Sequence, residues 1–256
     1  MNTRGLVLPS LFALGALIVL VGLGTWQMER LSWKTALVAQ VEARTAERPM
    51  PAPSPSLWPA LNREDDEYQP VTATGRFDHG RETLIYTVLS DPKGPFKGPG
   101  FWVVTPLMLP SGAAILVNRG FVPEDRRDPA TRKDGQVAGD VTVTGLLRLA
   151  EDASWFVPAN DPTRNAWYRR DPEEIGRARG LKEVAPFVID ANGAPNPGGL
   201  PQAGETRLSF PNRHLEYALT WYGLAATLIG VYIAFVITRL RGGRDPKPDG
   251  ATPEDS

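Results

Sequence analysis

Two imidazoles carry most of the chemistry this chain can offer. Its 256 residues include His79, His214 and four methionines, and no cysteine. Without thiols, the chain can form no disulfide, thiolate metal centre, cysteine nucleophile or covalent c-type haem attachment. His79 lies in Phe77-Asp78-His79-Gly80, between two strand-like stretches, and reads as a turn residue. His214 lies in Asn212-Arg213-His214-Leu215-Glu216-Tyr217, one short step before a long apolar run. On a helix, His214, Ala218, Trp221 and Ala225 share a face. An imidazole there stands beside an apolar wall, where two roles are open. It is either a polar anchor at a membrane interface or an axial ligand for haem iron, the usual use of a neutral imidazole.

A second group closes the other apolar run, in Trp26-Gln27-Met28-Glu29-Arg30. Trp26 and Arg30 are four apart and share a helix face. They read either as a generic aromatic and basic anchor or as part of the same site as His214. The acidic run Glu64, Asp65, Asp66, Glu67 reads as a solvated face before it reads as a metal site. No nucleophile elbow, phosphate-binding loop, dinucleotide fingerprint or H-E-x-x-H motif occurs.

The elements that must position these residues are two long apolar segments. Residues 5–28 carry no charge between Arg4 and Glu29, and residues 217–238 none between Glu216 and Arg239. At 1.5 Å per residue, each helix spans a hydrocarbon core of roughly 30 Å. The first run is longer than a signal-peptide core and reads as an uncleaved signal anchor. Arg239, Arg241, Arg244 and Lys247 mark the C-terminal tail as cytoplasmic. Two spans then return the N-terminus to the same side and leave the middle of the chain outside the cytoplasm. Arg30, Lys34, Arg44 and Arg48 run against this assignment, but the positive-inside rule governs short loops rather than a long translocated domain. With no Arg- and Ser-rich leader ahead of the first run, the expected location is a bacterial inner (plasma) membrane with the main domain in the periplasm. The net charge of −1 gives no general attraction to nucleic acid, and none is expected as a partner. The small residues Gly15 and Gly22, and Gly223, Ala226 and Gly230, are candidates for close packing of the two helices.

Between the spans the period changes. Residues 31–47 continue as a polar helix, and 49–59 form a Pro-rich extended linker. Residues 71–77, 82–88, 101–109, 113–118, 141–149 and 186–190 read as strands, with Pro110, Ser111 and Gly112 turning a hairpin. Asp171-Pro172-Glu173-Glu174 starts a short helix. Asn118-Arg119-Gly120 reads as a turn, with Gly120 at positive φ. The expected fold is therefore a membrane protein whose two transmembrane α-helices flank a mainly antiparallel β (α+β) extracytoplasmic domain. Its expected divisions are a cytoplasmic N-terminus 1–5, helices at 6–28 and 215–238, a helix extension and linker 29–60, the β domain 61–214 and a cytoplasmic tail 239–256.

Three stretches, in this order, resemble the surfeit-locus protein family of cytochrome c oxidase assembly factors. They are Gly24-Thr25-Trp26-Gln27 with Arg30 and Trp33-Lys34; Val117-Asn118-Arg119-Gly120-Phe121-Val122-Pro123; and Asn212 through Gly223, with His214 inside it. The resemblance covers nearly the whole chain. It implies a non-catalytic carrier of haem a, working beside haem a synthase and cytochrome c oxidase subunit I in the lipid bilayer. It also implies His214 as ligand of the haem iron; the ring is then expected against Trp221, Ala225 and lipid, with Trp26 a further candidate contact. Arg213 stands where relatives often have Asn or Asp, and with Arg30 it is a candidate partner for the haem propionates. The Asn118-Arg119-Gly120 stretch is a candidate element for partner recognition or closure.

Two other classes share most of these features. A haem-free scaffold for oxidase assembly needs everything except His214. A membrane-anchored envelope enzyme needs an acid–base pair, for which Glu67 and Asp78 are the candidates. Haem a synthesis itself would need several haem-ligand histidines in the membrane, and copper delivery would need cysteines or more methionine.

Overall fold

The computed structural model describes residues 4–192, 195–206 and 212–242. The chain divides into two compact units, one comprising residues 1–39 and 209–256 and the other residues 40–208. Arg244 and Lys247, on which part of the orientation argument rests, lie outside the described residues.

The first unit consists of two helices. Helix α1 runs over Arg4–Thr45, beyond the unit's boundary, and α4 runs over His214–Gly242. Both are long and apolar enough to cross a membrane, and their most apolar windows are almost wholly bare. A core helix of a soluble protein would be covered. The covered positions in this unit are few: Gly24 and Gln27 on α1, Ala218 and Ala225 on α4. They mark the line along which the two helices meet. At Gly24 a Cβ atom would lie 2.6 Å from the Tyr222 ring, so glycine is what lets the ring in. Thr25 Oγ1 and Tyr222 OH are 3.3 Å apart, and the Ser10 and Tyr232 hydroxyls are hydrogen-bonded further along. An apolar cleft of about 170 Å³ lies beside that second pair, lined by Leu14, Leu17, Leu228 and Ile229 among others. The small residues expected to pack the helices do not: Gly15, Gly22, Gly223 and Gly230 have open space where a side chain would go. Small size permits an approach but does not select which face makes it.

The second unit is a curled sheet. Its strands are β1 (Met50–Pro51), β2 (Pro70–Phe77), β3 (Thr83–Leu89), β4 (Gly98–Met108), β5 (Ala114–Pro123), β6 (Asp140–Leu149) and β7 (Val184–Ala191), in the order β1-β2-β6-β7-β5-β4-β3. The end of β2 also pairs with the end of β4, through Arg76 with Met108 and Phe77 with Leu107. Strands β2, β6, β7, β5 and β4 thereby close into a small barrel, with β1 and β3 appended. The expected strands all form, because alternating or short continuous apolar runs are local signals. The pairing of β5 with β7 is parallel, as is that of β1 with β2; the others are antiparallel.

Inside the barrel Val71, Leu107, Ile115, Val117, Leu147, Phe187 and Ile189 form the main core. A second cluster, with Ile85, Val104, Leu116, Trp167, Ile175 and Val188, lies on the outer face, to which α3 (Pro172–Ala178) contributes Ile175. Each fully buried side chain of this size contributes about 1.5–3 kcal/mol. Strand β5 is covered on both faces, which explains the continuous apolar run from Ala114 to Val117 at its start. Helix α3 starts as its sequence predicts: Asp171 accepts from the Glu174 amide at 2.9 Å, and Pro172 takes the first position.

Three expectations change. The Pro-rich stretch is not a free linker, for Met50–Pro51 adds a strand to β2 and Pro55–Ala60 forms a 3₁₀ turn. Proline's fixed φ suits that turn as well as an extended chain, and Trp58 pins it by packing edge-on against Phe187. Next, the acidic run is not uniformly solvated. Helix α2 (Arg63–Asp66) exposes Glu64 and Asp65, but Glu67 is buried and accepts from Arg148 Nε at 2.8 Å and the Leu149 amide at 2.9 Å. Finally, Asn118-Arg119-Gly120 is no turn. It lies in the middle of β5, buried, where Gly120 does take positive φ, at 129°, and the Gln202 carbonyl leaves no room for a Cβ.

Candidate functional site

His214 is the first residue of α4, a position where its ring is half-buried and its backbone is free to start the helix. Its Nδ1 lies 2.7 Å from Oε1 of Gln27 on α1. An amide oxygen only accepts, so Nδ1 carries the proton. In a neutral imidazole the lone pair then belongs to Nε2, which has no hydrogen-bond partner among the described residues. Gln27 is only 9% exposed, which shields the bond from water and strengthens it.

The other expected site residues are placed as follows. Trp221 is half-buried on α4, two turns beyond His214. Ala218 and Ala225, on the same face, are covered to 1% and 5% exposure, so the wall open to a planar ligand is Trp221 rather than Ala225. Trp26 precedes Gln27 and is exposed. Arg30 is exposed one turn beyond Gln27, with its guanidinium 5.2 Å from the centre of the Trp33 ring. Arg213 is exposed and makes no ion pair among the described residues. The residue brought onto His214 is thus Gln27, not Trp26 or Arg30. Its signal in the sequence was faint: one amide near the end of an apolar run, three residues after Gly24 and on the same side of the helix.

This donor set fits one axial position of a haem. A single imidazole presents Nε2 with its other nitrogen held, Trp221 offers a flat apolar surface, and two guanidiniums are available for acidic ring substituents. A chelated metal ion does not fit, since the described residues contain no cluster of three His, Cys, Asp or Glu side chains.

The remaining candidates belong to the β unit and are tied into its framework. His79 Nε2 donates to the Val137 carbonyl at 3.0 Å, and its Nδ1 faces Arg119 Nη1 at 3.4 Å. Arg119 also bonds the Gly135 carbonyl and Asn196, and it stacks 4.8 Å from the Phe77 ring. Burial lowers its guanidinium to about 10, the desolvation outweighing the pull of Glu82. Asn118 Nδ2 donates to Asp190 at 2.9 Å. The triplet is therefore an internal brace: Asn118 is held by Asp190 and the Arg119 guanidinium by Gly135, Asn196 and His79, with Arg119 Nε left unpaired in the core. Glu67 is held by Arg148, and Asp78 pairs with Arg81 at 3.3 Å.

Comparison with known proteins places the chain in a family. The SURF1 family model matches residues 14–226, a stretch that takes in Gln27, His214 and the whole β unit. The human protein named Surfeit locus protein 1 is 40% identical over 80% of this chain and 70% of its own length. The rat protein of that name is 38% identical over 86% of this chain and 73% of its own, and that of Takifugu rubripes 36% identical over 86% and 93%.

Proposed function

The chain belongs to the SURF1 family, and from that premise we propose that it is a non-catalytic assembly factor for haem a–containing cytochrome c oxidase. In this reading it binds haem a as cargo and assists its delivery to subunit I, next to haem a synthase. The observation that carries the proposal is the 2.7 Å bond from His214 Nδ1 to Gln27, which leaves Nε2 as the ligating atom.

On this reading α1 and α4 span a bacterial inner membrane, with Arg239 and Arg241 on the cytoplasmic side and the β unit in the periplasm. His214 then lies at the outer interface. The bare flanks of both helices let an apolar ring enter from the lipid side. His214 holds the iron, Trp221 lies against the ring, and Arg213 and Arg30 receive the propionates. No covalent bond of the ring is made or broken. A single protein ligand suits a carrier, because the haem leaves when one bond is lost.

The test is an absorption spectrum of the protein purified from cells that make haem a, as wild type and as His214→Ala. Haem a in the wild type and its loss or spectral change in the variant are expected. A wild type that is haem-free and fails to take up added haem a overturns the carrier reading in favour of a haem-free scaffold.

A further inference from the structure

We propose that Gln27 is a positioning residue that sets how tightly His214 holds iron, and that it does so across the α1–α4 contact, so that parting the two helices releases the haem. The inference rests on His214 being the iron ligand and says how that ligand is regulated.

The argument begins with the hydrogen bond. A metal-bound imidazole is oriented, and its donor strength tuned, by what its other nitrogen touches. A carboxylate at that place draws the Nδ1 proton strongly and makes the ring a strong donor. A neutral amide draws it less, and an imidazole with no acceptor can rotate and also populate the tautomer whose Nε2 is protonated and unable to ligate. Gln27 Oε1 therefore gives an intermediate ligand, stronger than a free histidine and weaker than a histidine–carboxylate pair. A carrier needs this range, since it has to take haem up and then give it away.

The second part of the argument is where the acceptor sits. Gln27 and His214 are 187 residues apart and on different helices. A small separation of α1 and α4 would break this bond while leaving His214 in place on its own helix. Among the described residues, few other polar contacts resist such a movement. The described polar bridges between the helices, besides this one, are the Thr25–Tyr222 and Ser10–Tyr232 pairs, and next to the latter the helices leave the apolar cleft instead of packing. In a bilayer, helix association has no hydrophobic drive and depends on such contacts. A partner that takes either helix for itself thus lowers the affinity of the ligand in the same step.

The experiment uses the full chain in lipid nanodiscs loaded with ferrous protohaem IX. It reads the rate of haem transfer to excess apomyoglobin and the iron–histidine stretching frequency in the resonance Raman spectrum. Gln27→Leu should release haem about 10–100-fold faster and lower the frequency. Gln27→Glu, which preserves size and therefore packing, should do the reverse on both readouts. A purely structural role predicts losses of the same sign in both variants, so that result, or unchanged frequencies, overturns the proposal. For the helix coupling, Gly24→Leu wedges the Tyr222 contact and should speed release in the wild type but add nothing in the Gln27→Leu background; additive effects overturn the coupling. Haem retained in His214→Ala defeats the parent reading and this one together. Haem lost in His214→Ala, with the Gln27 variants behaving as wild type, defeats this one alone.

Discussion

Arg170 Nη1 reaches both carboxylate oxygens of Asp190 at 2.9 Å, deep in the β unit. Arg148 adds a contact at 3.2 Å from the other side, and Asn118 a third at 2.9 Å. Arg148 also holds Glu67, and Arg170 also holds Glu151, so a single network ties β5, β6 and β7 to the segments before β2 and α3. Burial alone would raise the Asp190 carboxyl, but Arg170 and Arg148 outweigh it and hold the group below the usual carboxylate range. Burial would likewise lower Arg170, and Asp190 and Glu151 reverse that.

Asp190→Asn removes the carboxylate and leaves two guanidiniums facing a neutral amide. The cost should be about 3–5 kcal/mol of domain stability, read as a lower midpoint in urea unfolding. The pH dependence follows the same carboxylate. Its folded pKa is below its unfolded value, so the unfolded chain binds more protons in that interval and stability rises with pH there. The Asp190 contribution is full above about pH 4 and is lost as pH falls through the depressed folded pKa. Wild type should lose stability on acidification below that point, and Asp190→Asn should show a shallower slope; equal slopes would show that Asp190 is not the group responsible.

Gly120→Ala places a methyl 2.1 Å from the Gln202 carbonyl oxygen at a φ of 129°. Both the clash and the backbone conformation oppose it. A loss on the order of 3 kcal/mol is expected, measured by thermal melting.

Trp155 is 95% exposed and Phe156 72%, and the two rings meet edge to face on the loop between β6 and α3. Neither belongs to the buried core clusters of the domain. Replacing both by Ser should change stability by less than about 0.5 kcal/mol, which a melting curve of the double variant reads directly.

The proposed orientation has its own test. Alkaline phosphatase fused into the 150–170 loop should be active, since it folds in the periplasm, while green fluorescent protein fused after residue 256 should fluoresce. A dark C-terminal fusion with an inactive loop fusion reverses the topology.

What the sequence determined by itself was local. Two uncharged apolar runs, six strand-like stretches (some alternating, some continuously apolar) and the Asp171-Pro172 helix start each carry their signal within about ten to twenty residues, and they became two long helices, strands and a helix start. Short-range spacing also placed His214 at the head of α4. The tertiary structure alone decided what meets across long stretches of chain. Parallel pairing of β5 with β7, burial of Asn118-Arg119-Gly120, the capture of Glu67 by Arg148 and the seating of Gln27 on His214 all join residues far apart in order. The reason is physical: hydrophobic periodicity reports which face of an element is covered, but not by which other element. A buried polar group reveals its meaning only through the partner that satisfies it. Trp26 and Arg30 had the more conspicuous side chains, yet the helix rotates them off the contact line and turns the amide of Gln27 onto the imidazole instead.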